Sequence, residues 1–507
     1  MNDRGTGSWP ARRARTTPDK VALVDAGAQT TYRALADACD AVAHGLRELG
    51  VARGDRVAYL GLNSRAFVEV MFAVAKLGAV VVPLNTRLAP AETAAVLADC
   101  TPSLLVWDAE LEPLVRSDEV TALRLRAVPV TSLDRTPAAG APAVDEPVDP
   151  DDLFMIQYTS GTSGTPKGVM LSHANIAWNV YNLLVDVDLS SDEVALVTAP
   201  LFHTAALNQL LLPTLLKGGT AVLEPRWDPS RALDLIEQAG VTYLFGVTSM
   251  YLSLSQAPRW ATANLGSLRI ALSGGSPLPE SLLRAYVDRG LMIVQGYGLT
   301  EAAPGATLLR PADGLRKLGS AGTVCFFSDV RIIDAAGDPV TDGEPGEVLV
   351  QGPNVTAGYW RSPQATDAAF VGQGWLRTGD LARWDDEGHL HVVGRLKDMF
   401  ISGGENVYPA EVEGAISTHP AVEESAVIGV PDERWGEVGR AVVTLRPGTT
   451  LDEEELLGHL RGRLAGYKVP RTVVFVDQLP HNGSGKLVKA AVRNLYGQPS
   501  PDPASSS

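Results

Sequence analysis

The sequence predicts an α/β protein: a large N-terminal body of several βαβ layers, followed by a small, mobile α+β C-terminal domain. Three observations carry that expectation. Short β-branched apolar runs alternate with helix-like stretches from Val21 to about Leu223, the pattern of parallel strands joined by crossover helices. The alternation resumes at Tyr243–Val247, and beyond Arg395 the chain turns into a self-contained group of helices and strands. At 507 residues the chain has room for about three units of ordinary domain size, packed as one large body and a smaller one.

In chain order, Arg12, Arg13 and Arg15 precede a polar Thr16–Lys20 stretch without an apolar h-region. The segment therefore reads as an ordinary exposed helix and not as a targeting signal. Strands are expected at Val57–Leu60 and Ala79–Val82 around a helix over Arg65–Leu77, with a further helical stretch from Ala91 to Ala98. Arg135–Asp152, rich in Pro, Ala and Asp, reads as a surface connection before a strand at Leu153–Tyr158. Tyr243–Val247, Leu268–Leu272 and Met292–Gln295 are the next strand candidates. Gly and Asp punctuate Arg383–Gly394, which suits an antiparallel or loop-rich rim. The last unit is expected to hold helices over Pro409–Ser417 and Asp452–Leu464, with strands at Ser425–Val430, Arg440–Leu445 and Val473–Val476. The boundaries that follow are a body over 1–394, a hinge at 395–398, a cap over 399–495 and a disordered Pro/Ser-rich tail over 496–507.

Composition narrows the function. With 45% hydrophobic and 20% charged residues the chain is globular. Forty-three Lys+Arg against 59 Asp+Glu give a formal charge of −16, which disfavours nucleic acid as a partner while leaving room for a local anion pocket. Cys39, Cys100 and Cys325 lie far apart with no metal-ligand spacing, so the reading is a reducing, cytoplasmic setting without a disulfide framework or a zinc site. Apolar runs such as Gly78–Leu84 are too short to span a bilayer.

Four clusters carry chemistry. Thr159, Ser160, Gly161, Thr162, Ser163, Gly164, Thr165, Pro166 and Lys167 directly follow the strand at Leu153. Glycines let the backbone turn until its N–H groups converge on an anion, hydroxyls add donors, and Lys167 supplies charge. This reads as a phosphate-binding loop, although a Walker A loop would need Gly at Pro166 and Ser or Thr at Gly168; a flexible Ser/Gly surface loop is the plainer alternative. In Gln295-Gly296-Tyr297-Gly298-Leu299-Thr300-Glu301, a carboxylate suits a divalent cation held against phosphate, and Tyr297 offers a flat face to a purine. By itself that cluster is more simply a tight turn. Arg377-Thr378-Gly379-Asp380 and Gly394-Arg395-Leu396-Lys397-Asp398 suit ribose hydroxyls and phosphate, or plain solvated surface. Asn482-Gly483-Ser484-Gly485-Lys486 presents a lysine between glycines, as a phosphate contact or as a linker.

In this order the clusters resemble the adenylate-forming superfamily of acyl-CoA synthetases, adenylation domains and luciferases, from about Thr17 to Lys489. Supporting segments are Lys76-Leu77-Gly78-Ala79, Pro83-Leu84-Asn85, Pro200-Leu201-Phe202-His203, Ser273-Gly274-Gly275-Ser276-Pro277 and Ile401–Pro409. The pattern is most similar to bacterial fatty-acyl and aryl acid–CoA ligases. The resemblance implies that a carboxylic acid and ATP give acyl-AMP and pyrophosphate, after which CoA, as substrate, takes the acyl group. It implies β- and γ-phosphate contacts from Thr159 to Lys167, Mg²⁺ on Glu301 with Thr162, and an α-phosphate contact from Thr300. Adenine falls to Gly275, Ser276, Gln295, Gly296 and Tyr297, and ribose to Asp380 with Arg395. Lys486 becomes the catalytic lysine bridging carboxylate and α-phosphate. Lys397 becomes the hinge, and Ser402, Gly403 and Gly404 the path of the pantetheine arm. His481-Asn482 stands where the family commonly has Lys/Arg then Thr, which leaves the contacts beside Lys486 open.

The resemblance places His203, Phe245, Val247, Gly275, Gly298 and Ala302 in the acyl pocket. These small or apolar neighbours suit an alkyl chain or an aromatic ring. The segment Phe202-His203-Thr204 lacks the Asp that pairs with an α-ammonium in amino-acid adenylation domains, and no Arg or Lys stands ready for a second carboxylate. The substrate expected is a medium- or long-chain fatty acid or an aryl acid. Two alternatives remain: a standalone adenylation enzyme loading the phosphopantetheine of a carrier protein, and a non-catalytic nucleotide-binding module, which the retention of Lys167, Glu301 and Lys486 disfavours. A homodimer is compatible with the sequence.

Overall fold

The computed structural model describes residues 2–136, 140–159, 166–276, 278–341, 343–402, 405–432, 435–461, 463–481 and 487–498. Two compact units are formed, one from Met1–Val330 with Val350–Leu376, the other from Arg331–Leu349 with Arg377–Ser507.

The first unit is built on two sheets. Its strands are β1 (Val21–Asp25), β2 (Ala28–Thr31), β3 (Arg56–Leu60), β4 (Val80–Pro83), β5 (Leu104–Trp107), β6 (Ala127–Pro129), β7 (Leu153–Thr159), β8 (Lys167–Ser172), β9 (Val194–Val197), β10 (Thr220–Leu223), β11 (Tyr243–Gly246), β12 (Ile270–Gly274), β13 (Ile293–Gly298), β14 (Gly305–Leu308) and β15 (Thr323–Val324). One sheet has the order β6-β5-β3-β4-β7-β8 and the other β15-β14-β13-β12-β11-β9-β10-β1-β2. Within the larger sheet β1, β10, β9, β11, β12 and β13 run parallel, as the alternation of strand and helix required.

Helices cover these sheets, and their starts follow local chemistry. Thr31 accepts a hydrogen bond from the Ala34 N–H to open Tyr32–Glu48, and Ser64 accepts one from Phe67 to open Arg65–Lys76; side-chain caps of this kind satisfy donors that a first turn leaves unpaired. Ala66 to Lys76 are all buried, as befits a core helix that is apolar all round. Its side chains join residues of both sheets, among them Leu23, Tyr59, Val106 and Ala195, in one core. The charges carried into this core are paired. Lys76 meets Asp40 at 2.8 Å, and Glu69 receives Arg135 at 2.8 Å together with Arg65, which offsets their desolvation.

Three local expectations need correction. The strand read at Leu268–Leu272 is Ile270–Gly274, because Leu268 sits in a turn closed by its N–H on Leu265 O at 3.0 Å. The helix read over Asp452–Leu464 is Glu453–Arg461, with Asp452 accepting from the Glu455 N–H at 2.8 Å as its cap. The N-terminal helix, Trp9–Thr16, is docked rather than exposed: Trp9 and Pro10 are buried and Arg13 donates to Leu216 O at 2.6 Å.

The second unit holds a small mixed sheet. Val422–Asp432 and Gly436–Leu445 pair antiparallel along their length, Phe400–Ser402 joins the latter, and Thr472–Phe475 adds in parallel. The helices Pro409–Ser417 and Glu453–Arg461 supply Val412, Ile416, Leu456 and Leu460 to its core. A final helix, Lys489–Tyr496, packs Val492 on Ala426, Ile428 and Val442. Arg440 donates to the carbonyls of Tyr496 and Gln498 at 2.6 and 2.7 Å, so ordered structure reaches Gln498. Among the described residues no helix is long and apolar enough to cross a membrane.

Candidate active site

Parallel strands β11, β12 and β13 end side by side at Gly246, Gly274 and Gly298. Ligands of open α/β sheets bind outside such carboxyl ends, where successive loops diverge. The ends deliver Phe245 and Val247, then Gly275 and Ser276, then Gln295, Gly296, Tyr297 and Gly298 to one edge of the sheet. Gln295 accepts the Leu278 N–H at 3.1 Å on Oε1, so its buried side chain ties the segment after β12 to β13. Ser276 Oγ lies 2.9 Å from Thr248 Oγ1. Gly275 adopts φ +92° with open space where a side chain would stand, whereas a Cβ on Gly298 would fall 1.8 Å from Pro304 O. Glycine at 298 is thus demanded by a backbone crossing. Ala302 and Phe245 are both buried.

Of the residues expected to contact phosphate and metal, Lys167 and Glu301 both adjoin a segment that carries no sequence motif of its own. Thr159 and Lys167 face each other across β7 and β8; Ser160, Gly161, Thr162, Ser163, Gly164 and Thr165 lie outside the described residues. From β8 the backbone is stitched to residues 353–360. Met170 N donates to Gly358 O at 3.0 Å, Trp360 N to Gly168 O at 2.7 Å, and Thr356 N to Glu301 O at 2.7 Å. Two buried asparagines fix the strap from behind: Asn354 Nδ2 donates to Ala302 O and Gly305 O at 2.7 and 2.8 Å, and Asn175 Nδ2 to Pro353 O and Val355 O at 2.9 and 2.8 Å. Gly358, at φ +141°, leaves no room for a Cβ beside Thr366. The strap carries Tyr359, whose hydroxyl donates to Glu301 Oε1 at 2.8 Å while the Lys167 ammonium sits 5.1 Å from its ring centroid. Burial and the Glu301 carboxylate push the phenol pKa up, so Tyr359 remains a neutral donor. Thr300 and Glu301 occupy a single 3₁₀ turn directly after β13.

His203 follows β9. Its ring lies 4.6 Å from that of Phe202, and its buried Nε2 has no hydrogen-bond partner among the described residues. Desolvation, reinforced by Arg87, lowers its pKa to about 4, so the imidazole is neutral near pH 7. Just beyond, Leu207–Leu211 forms one π-helical stretch, a widened turn that recurs at functional sites. Asn208 there donates to Ala303 O at 3.3 Å, and Tyr243 donates to Gln209 O. No periodicity in the sequence marks that stretch.

In the second unit Asp380 and Arg395 are cross-strand partners, with Arg395 Nε 3.0 Å from Asp380 Oδ1. Asp380 is buried and its N–H donates to Thr378 Oγ1 at 3.1 Å. Arg377 is engaged on both oxygens of Glu347. Lys397 stands in the 3₁₀ turn Leu396–Asp398, and Ser402 is buried at the end of its strand. Gly403, Gly404 and Lys486 lie outside the described residues; His481 and Leu487, on either side of residues 482–486, form an antiparallel bridge. His481 contacts Glu424 at 2.9 Å.

Loops gathered at the carboxyl edge of a parallel sheet, where ligands of open α/β sheets bind, followed in the chain by a smaller second unit, fit the class of adenylate-forming enzymes. The chain belongs to the AMP-binding enzyme family: the family model matches residues 10–360, and the model of the AMP-binding enzyme C-terminal domain matches residues 411–486. It is 52% identical over 497 residues to a feruloyl-CoA synthase from an Amycolatopsis species, covering 98% of this chain and 100% of that one. Indoleacetate–CoA ligase from Aromatoleum aromaticum is 42% identical, with 96% of this chain and 97% of that one covered. Among solved structures, o-succinylbenzoate coenzyme A synthetase from Bacillus subtilis in complex with ATP and magnesium superposes with a TM-score of 0.86 at 33% identity, covering 96% and 99%. The protein is an acid–thiol ligase of the acyl-CoA synthetase type.

Proposed function

We propose that this ligase activates an aromatic carboxylic acid with ATP and transfers the acyl group to CoA. The observation that carries the aromatic choice is the full-length 52% identity to a feruloyl-CoA synthase, to which the indoleacetate–CoA ligase adds a second aromatic acid. The neutral, half-buried His203 beside Phe202 supports it, since such a wall brings no charge to an aryl ring.

A carboxylate is a poor acyl donor because thiol attack would have to expel oxide; as acyl-AMP it loses AMP instead. In this reading Lys167 and the backbone of 159–165 hold the β- and γ-phosphates, and Thr300 meets the α-phosphate. The hard carboxylate oxygens of Glu301, one of them oriented by Tyr359, suit Mg²⁺, with Thr162 as a second contact. Mg²⁺, when bound, neutralises phosphate charge. Gly275, Ser276, Gln295, Gly296 and Tyr297 enclose adenine, while Phe245, Val247, Gly298 and Ala302 join His203 around the acyl group. Asp380 and Arg395 meet the ribose. Lys486 bridges the attacking carboxylate and the α-phosphate, neutralising charge as it builds. The body over 1–394 and the cap over 399–495 then rotate about 395–398 at Lys397, bringing Ser402, Gly403 and Gly404 to the pantetheine arm. Free, buried Cys39, Cys100 and Cys325 suit a cytoplasmic setting.

The test incubates enzyme, ATP and Mg²⁺ with hydroxycinnamic, indoleacetic and C8 to C16 alkanoic acids, with and without CoA, and weighs the products by mass spectrometry. Aryl-CoA and AMP, formed with a kcat/KM above that of every alkanoic acid, support the proposal. Preference for an alkanoic acid overturns the aromatic choice. Acyl-AMP that persists in the presence of CoA points to a carrier protein as acceptor.

A further inference from the structure

Within the first unit a single aromatic side chain touches both groups on which ATP is read to depend. Lys167 rests over the ring of Tyr359, and Glu301 accepts its hydroxyl hydrogen bond at 2.8 Å. The backbone beneath that side chain is fixed on both flanks: Tyr359 bridges Val169, its N–H donates to Thr366 Oγ1 at 3.0 Å, and Thr356 N holds Glu301 O at 2.7 Å. A lysine has four rotatable side-chain bonds and a glutamate three, whereas a tyrosine ring turns about two. The stiff member of the trio is therefore the one anchored to both β8 and the turn after β13.

We infer that Tyr359 is a positioning residue for adenylation, its ring face holding the Lys167 ammonium and its hydroxyl orienting the Glu301 carboxylate before nucleotide and metal bind. This rests on the reading of Lys167 as the phosphate cation and Glu301 as the Mg²⁺ ligand. The two contacts have separable consequences. Ring–cation attraction needs only the aromatic face, whereas the carboxylate is oriented by the O–H alone. Removing the hydroxyl leaves Glu301 with more rotamers to lose on binding Mg²⁺, and removing the ring also frees Lys167.

The experiment measures ATP binding by titration calorimetry, with and without Mg²⁺ and in the absence of acid and CoA. It compares the full-length wild type with Tyr359→Phe, Tyr359→Leu and Glu301→Gln, each with its melting temperature. Tyr359→Phe is expected to keep Mg²⁺-free ATP affinity and to raise the Mg²⁺ concentration for half-maximal enhancement about fivefold or more. Tyr359→Leu is expected to show that shift and, in addition, a loss of about fivefold in Mg²⁺-free ATP affinity. If Glu301→Gln changes the Mg²⁺ dependence and Tyr359→Phe does not, the positioning role is wrong while the reading of Glu301 stands. If Glu301→Gln leaves the Mg²⁺ dependence unchanged, that reading fails and takes the inference with it. Equal losses in Phe and Leu variants, with a matching fall in melting temperature, would reduce Tyr359 to a structural residue and overturn the inference.

Discussion

Lys167 and Glu301 in the first unit are linked through the neutral phenol of Tyr359, whereas Asp380 and Arg395 in the second pair directly at 3.0 Å. The difference matters because a neutral link leaves both charges without an ion partner among the described residues, and so open to ligands of opposite sign. Phosphate oxygens and a divalent cation are such ligands. A direct ion pair offers an acceptor and a donor that already balance each other. It suits a neutral group with vicinal hydroxyls, which can take hydrogen bonds from the pair without breaking it. The proposed reading accordingly gives the first arrangement to charged phosphates and the second to an uncharged ribose.

The strongest way to break this division is Lys486→Ala. The reading needs a third cation, on the reacting carboxylate, and neither arrangement supplies it. Acyl-AMP formation, followed by pyrophosphate release, is expected to fall about 10² to 10³-fold, while thioester formation from supplied acyl-AMP is largely kept. Equal loss of both half-reactions would remove Lys486 from that role and leave the charge on the carboxylate unassigned. A smaller effect is expected from Asp380→Asn. Loss of a charged acceptor is worth about 1.5–3 kcal/mol, so KM for ATP should rise roughly 10 to 100-fold, with kcat changed less. An unchanged KM together with a lower melting temperature would make the Asp380–Arg395 pair a clamp between strands and nothing more.

The direct pair was easier to read in the sequence than the bridged one. Asp380 and Arg395 each sit in a short Gly-marked cluster, and a cross-strand register brings them together. The parallel strands were legible because β-branched runs such as Val80–Val82 carry their own signal. Tyr359 was not legible. Residues 353–360 have no hydrophobic period, and their meaning lies in bonds to partners 52, 58 and 186 positions away in the chain. Gly352-Pro353 and Gly358 were the available hint, since glycine at 358 is forced by Thr366. The misplacement of β12 by two residues has a related cause. Leu268 is buried from a turn, and burial alone does not separate a turn from a strand.

The strap itself can be weakened without touching either charge. Asn354→Ala removes two donated hydrogen bonds and strands the carbonyls of Ala302 and Gly305 in a buried place. A cost of about 1–3 kcal/mol is expected, read by chemical denaturation, with Mg²⁺-free ATP affinity little changed at temperatures where the variant is folded. A large loss of ATP affinity at full foldedness would mean that the strap's exact path, and not only Tyr359, sets the position of Lys167.

The smallest effects concern three groups of the first unit whose proton affinity is shifted by desolvation. His173 and His203 are held down to about 4 by desolvation, against an ordinary 6.5. Below pH 6.5 the unfolded chain takes up protons that the folded chain refuses, so their contribution to stability is lost as pH falls from 6.5 toward 4. Asp3 works the other way. Burial pushes its carboxyl up to about 7, so between its ordinary value near 3.8 and 7 the folded chain holds a proton that the unfolded chain has released. Its share of the stability is present at low pH and lost as pH rises through 7. Denaturation at pH 7 and 5.5 separates the two signs. Relative to wild type, His173→Gln should lose about 1 kcal/mol less on that acidification, and Asp3→Asn about 1 kcal/mol more. If both variants shifted in the same direction, the protonation state assigned to one of the two groups in the folded unit would be wrong.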